Sequence, residues 1–133
     1  MTRREIMVRA HEVARTMEGD YSARMVLALR QAWMEARLLK AGGRLWEKAG
    51  MRRLYFNNLA ELYGLTLEFY NTGNISAAWL DGERISNNSA RQIVSMLYTG
   101  KLWYDLTSGR FESKGLSERA VERITKALLG RVA

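Results

Sequence analysis

Gly42-Gly43-Arg44-Leu45-Trp46-Glu47-Lys48-Ala49-Gly50-Met51-Arg52-Arg53-Leu54-Tyr55-Phe56 is the stretch on which the fold turns. The two glycines stop a preceding helix, because glycine takes the left-handed backbone of a helix end at no steric cost. Beyond them, 44–47 and 52–56 read as strands around Ala49-Gly50, a hairpin signal. Strand alternation puts Arg44, Trp46 and Lys48 on one face and Leu45 and Glu47 on the other. In the return strand Arg53 and Tyr55 share a face opposite Arg52, Leu54 and Phe56. The chain therefore divides into a helical hairpin over 1–43 and an α+β module over 44–133, which together are expected to form one compact unit.

Upstream of the glycines the periodicity is helical. Thr2-Arg3-Arg4-Glu5 has the spacing of a capping box, and Ile6, Ala10, Val13, Ala14 and Met17 make one apolar face. Gly19 is expected to end this helix and Asp20 to cap a second one running from about 21 to 41. Two helices joined by so short a link fold back on each other. On the second, Met25, Val26, Ala28, Leu29, Ala32, Trp33, Ala36 and Leu39 share one broad face. Leu27, Met34 and Leu38 form a narrow stripe on the opposite side. Arg30 and Arg37 border it on one flank, with Arg24, Gln31 and Glu35 on the other. A charge-bordered apolar seam suits a partner helix in a homodimer. It also suits coverage by the C-terminal module of the same chain. The sequence leaves both open.

Downstream, Asn58-Leu59-Ala60-Glu61 has capping-box spacing and opens a short helix that Gly64 closes. Leu65, Leu67 and Phe69 alternate with Thr66, Glu68 and Tyr70. Residues 75–80 form a strand that turns at Asp81-Gly82, a two-residue hairpin signal. Ser86 caps a helix with Ala90, Ile93, Val94 and Leu97 on its core face, and Gly100 stops it. A further hairpin turns at Thr107-Ser108-Gly109, and Ser117 caps a last helix packed through Ala120, Val121, Ile124 and Leu128. The order ααββαβββαββα predicts an α+β fold: an N-terminal antiparallel helix pair, then an antiparallel sheet, two short helices and a C-terminal helix.

Composition narrows the function. The chain has 133 residues, enough to bury a real core. It has no Cys, which excludes disulfides, thiolate-bound zinc and thiol catalysis. One His, His11, stands among surface charges and offers no dyad partner. No apolar run reaches the length of a membrane span, and the N-terminus lacks the apolar core of a secretory signal, so a cytoplasmic address with no membrane partner is expected. Lys and Arg number 21 against 14 Asp and Glu, a net charge of +7, which favours DNA, RNA, a nucleoprotein or an acidic partner.

The densest constellation is again the opening stretch, with four cations and three aromatics in residues 44–56. Cations reach phosphates and exposed aromatics stack on unpaired bases. Arg44, Trp46, Lys48, Arg52, Arg53 and Tyr55 are the candidate binding residues, and Leu27, Arg30, Met34, Arg37 and Leu38 the candidate partner seam. Catalysis finds little support. Asp81, Glu83 and Asp105 are the only candidate metal carboxylates in the sheet region, and Asp81 is already explained by its turn. There is no Gly-rich phosphate loop. No catalytic residue, metal or cofactor is expected.

Two segments carry a resemblance. The opening from Thr2 to Ala36 resembles a helix pair of small proteins of bacteriophages and conjugative elements. The module with Trp46-Glu47-Lys48 to Phe56, Thr72-Gly73-Asn74-Ile75-Ser76 and Gly82-Glu83-Arg84-Ile85-Ser86-Asn87 is similar to an accessory domain of such proteins. That class includes anti-CRISPR inhibitors. The resemblance implies a non-enzymatic inhibitor of a host defence nucleoprotein, such as a nuclease, acting on the protein or its nucleic acid. The charge departs from the acidic nucleic-acid mimics of that class. The alternative is a nucleic-acid-binding accessory or regulatory protein of the element.

Overall fold

A computed structural model describes residues 1–132. Its twelve elements follow the expected order. Helices α1 (Arg3–Ala14) and α2 (Tyr21–Lys40) lead into strands β1 (Gly43–Lys48) and β2 (Met51–Phe56). Helix α3 (Leu59–Tyr63) precedes β3 (Leu65–Phe69), β4 (Ile75–Leu80) and β5 (Glu83–Ile85). Helix α4 (Asn87–Thr99), β6 (Lys101–Asp105), β7 (Arg110–Lys114) and α5 (Glu118–Val132) complete the chain. No helix among the described residues is long and apolar enough to cross a membrane.

The fold is α+β with antiparallel pairing throughout, but the strands form two sheets where one was expected. The larger has the order β1-β2-β6-β7 and the smaller β3-β4-β5. The single sheet fails because β2 pairs with β6, leaving the intervening three-stranded meander to close on itself. That pairing spans about fifty residues and has no local signal.

Local chemistry explains the turns and most caps. Thr2 and Asp20 accept from the backbone N–H groups of Glu5 and Ala23, and Ser86 from that of Ser89. Ala49-Gly50 and Asp81-Gly82 both have positive φ at both residues, the backbone that matches the twist of a two-residue hairpin. Two local expectations fail. Helix α1 ends at Ala14 rather than near Gly19, with Met17 beyond the helix yet packed on the same cluster. The Asn58 side chain makes no cap hydrogen bond, because its backbone at φ −94°, ψ 42° is not the extended one that N-caps take.

The main core gathers Leu38 of α2, Leu54 and Phe56 of β2, Leu102 and Tyr104 of β6, and Ile124 and Leu128 of α5. One face of the four-stranded sheet therefore packs inward against the end of α2 and α5. Helices α1 and α2 have their own smaller cluster around Ala10, Val13, Ala28 and Ala32.

The α2 stripe divides. Leu38 is fully buried and Met34 packs on the same core, so the C-terminal module covers this half of the seam. Leu27 is 54% exposed, and Arg30 and Arg37 are exposed. The continuous buried seam expected through Leu27, Met34 and Leu38 is not present in the chain, because the sheet module reaches only the C-terminal half of α2. On the other face Val26 and Trp33 are also largely exposed. Leu27→Lys is expected to change stability by less than about 0.5 kcal/mol. It should also leave the particle mass in light scattering unchanged. A drop from dimer to monomer would restore the seam as an interface between two copies.

Candidate nucleic-acid interface

The two faces of the four-stranded sheet differ in chemistry. Register pairs Arg44 with Tyr55, Trp46 with Arg53, Tyr55 with Trp103 and Trp103 with Glu112. These residues therefore share the outer face, with Lys48, Lys101, Asp105, Arg110 and Lys114. Trp46, Tyr55 and Trp103 belong to none of the core clusters.

Arg53 is the centre of this face. Its guanidinium lies 4.6 Å from the ring centroid of Trp103 and 5.4 Å from that of Trp46. Its Nη1 donates to the Tyr55 hydroxyl at 2.9 Å and its Nη2 to the Met51 sulfur at 3.5 Å. Tyr55 packs in turn edge-on to Trp46 at 5.9 Å and against Trp103 at 5.5 Å. Every one of these partners is neutral. Asp105 stands opposite Arg53 in register, yet its carboxylate accepts from the Thr107 and Ser108 backbone N–H groups of the β6–β7 turn. Glu112 accepts from the Trp103 indole N–H at 3.2 Å.

Arg53 is thus held by neutral groups and makes no ion pair among the described residues. Arg37 and Arg84 also lie over single indoles, those of Trp33 and Trp79, without such an ion pair, but Arg53 is the arginine placed over two. Arg9, Arg52, Arg123 and Arg131 each reach a carboxylate. Among the described residues none of Arg44, Lys48, Arg53, Lys101, Arg110 and Lys114 forms an ion pair. The face carries six cations, and its two acids are already hydrogen-bonded.

The six candidate residues of the hairpin do not act together. Arg44, Trp46, Lys48, Arg53 and Tyr55 share the outer face. Arg52 points the other way, as alternation requires, and its Nε donates to Glu47 at 3.1 Å. Trp103 and Lys101, absent from the sequence-derived set, complete the face. Strand alternation within β6 could have put them together, but only the β2–β6 pairing brings them to Arg53.

The candidate metal carboxylates lie apart. Asp81 accepts from Arg123 at 2.7 Å, and Asp105 caps its turn. Among the described residues no group of three or more His, Asp or Glu side chains gathers.

The only buried charged side chain among the described residues is a surprise of a different kind. Glu35, which the sequence placed on the solvated border of the α2 stripe, is 3% exposed. It accepts two hydrogen bonds from Arg9, at 2.8 and 3.1 Å, and one from Gln31 at 3.3 Å. Arg9 and Gln31 both donate onward to the Leu106 carbonyl. The Glu35 hydrogen bond holds the Arg9 guanidinium above its ordinary pKa, against the opposing effect of burial. Burial, and then the Glu35 charge, raises the Tyr104 phenol. This network ties the helix pair to the sheet.

Comparison with protein-family models, with curated proteins and with solved structures gives no match for this chain.

Proposed function

We propose that this chain is a non-enzymatic protein that binds nucleic acid, free or within a nucleoprotein, through the outer face of the β1-β2-β6-β7 sheet. The observation that carries the reading is Arg53: a guanidinium held between two indoles and a phenol, with no carboxylate in ion-pair contact among the described residues. The indoles hold the cation in place by cation–π attraction without neutralising it. A phosphate gains a preorganised donor. The five further unpaired cations around it extend the positive field along the sheet.

The resemblance to small mobile-element proteins supports one setting for this activity, inhibition of a host defence nucleoprotein by occupying the strand it carries. A regulator of the element is the alternative. Naked nucleic acid separates them: a regulator binds duplex DNA alone with a steep salt slope, whereas an inhibitor needs the assembled nucleoprotein for full affinity.

Fluorescence anisotropy with labelled oligonucleotides tests the contact. Arg53→Gln is expected to weaken binding about tenfold or more at moderate salt, the scale of one lost charge-assisted hydrogen bond. The salt slope should fall by about 0.7 on single strands or 0.9 on duplex. Arg52→Gln, on the opposite face and paired to Glu47, should leave both quantities unchanged. Equal effects of the two substitutions, with both variants folded by circular dichroism, would reduce the charge cluster to a solvated surface.

A further inference from the structure

We infer that the groove between the β1–β2 edge of the outer face and the end of α4 receives an unpaired nucleobase, so that the preferred ligand is single-stranded. This rests on the nucleic-acid reading above and names its substrate class. The groove has a volume of about 530 Å³, within the usual size of a small-ligand site. Trp46 and Tyr55 line it from the sheet and Tyr98 from α4, with Leu59 and Leu97 at its base and Lys101 at its rim.

Three features point to a base. First, Arg53 already lies over the Trp46 and Trp103 rings, so the middle of the sheet is occupied by a cation and suits phosphate. The groove is where Trp46 and Tyr55 meet a third aromatic ring, that of Tyr98. Second, Tyr98 is 89% exposed, the most exposed large apolar side chain among the described residues. It sits beside Leu97, which packs in the core, so α4 presents it to solvent from a fixed base. Third, Lys101 lines the groove and is on the same sheet face as Arg53, so a cation at the groove continues the charged face on which a backbone would lie. A duplex keeps its bases stacked and cannot fill a side groove lined by aromatic rings. A single strand can turn one base into it while its phosphates follow the cations.

Tyr98→Ala tests this, because a side chain so exposed contributes little to folding. The probe is a labelled oligothymidine, with a duplex of equal length and the same oligothymidine carrying one abasic position as references. The variant is expected to lose about tenfold in affinity for the single strand, the scale of one base–aromatic stack. Its salt slope and its duplex affinity should not change. The unsubstituted protein should prefer the intact strand to the duplex. An unchanged single-strand affinity in Tyr98→Ala, with Arg53→Gln still defective, would overturn the base site and leave the phosphate face standing. Loss of neither affinity would overturn both. Equal loss on single strand and duplex would also overturn the base site. So would an unsubstituted protein that binds neither oligonucleotide but binds an aromatic-containing peptide, since the groove then holds a protein side chain.

Discussion

Glu35→Ala is expected to lower the stability of the fold by about 3 kcal/mol, the lower end of the cost of breaking a buried ion pair, because Arg9 keeps a second carboxylate in Glu12. The Glu35 side chain is 4% exposed and that of Arg9 16%, so the pair is largely closed off from water, with only the Arg9 end bordering a surface groove. Arg9 would keep its hydrogen bond to the Leu106 carbonyl and the longer one, 3.4 Å, to the Glu12 carboxylate, and lose its bidentate acceptor. Ala is a better helix former than Glu, so the loss cannot be assigned to α2 itself. Against a typical total of about 5–15 kcal/mol, the effect removes a large share of the margin. Thermal unfolding followed by circular dichroism reads it as a fall in Tm of roughly 10 °C or more. The paired variant Arg9→Met with Glu35→Met should recover most of that loss or exceed the parent, because apolar side chains of similar length carry no desolvation cost. A single variant that melts within a degree or two of the parent would show that the network does not bind the helix pair to the sheet.

Leu38→Ala is the second large effect. Leu38 is completely buried and lies in the core that Leu54, Leu102, Ile124 and Leu128 share. Removing three carbons there should cost about 3–5 kcal/mol, combining lost transfer energy with a cavity the surrounding strands cannot close. Urea unfolding gives a second readout. If α2 and the sheet module unfold together, the midpoint falls while the slope stays constant and the transition remains single. Two separate transitions, with only the helix pair affected, would show the hairpin over 1–43 and the module over 44–133 to be independent units. Leu38 and Leu27 sit eleven residues apart on one helical stripe. The contrast between a severe Leu38→Ala and a silent Leu27→Lys is what the division of that stripe predicts.

Much of this molecule is legible locally. Positive-φ turns at Ala49-Gly50 and Asp81-Gly82, hydroxyl and carboxylate caps, and glycine stops depend on neighbouring residues, and they give the element order. Alternation alone separates Arg53 and Tyr55 from Arg52, Leu54 and Phe56, while burial of Leu54 and Phe56 and the pairing of Trp46 with Arg53 come from the fold. A half-buried hairpin has only two faces, and side-chain period sets which residue takes which.

What the sequence could not determine depends on which elements meet. Glu35 and Gln31 look like the wet border of a helix until Arg9 and the Leu106 carbonyl close over them. Leu27 and Leu38 have the same chemistry and the same stripe, yet one is exposed and the other is core, because the sheet covers only part of α2. Arg53 has no visible link to Trp103 across fifty residues, and the β2–β6 register supplies it. Local backbone preferences act over a few residues and can be read in order. Burial, ion pairing and the assembly of a binding face are set by long-range contacts, whose partners are chosen only when the whole core closes.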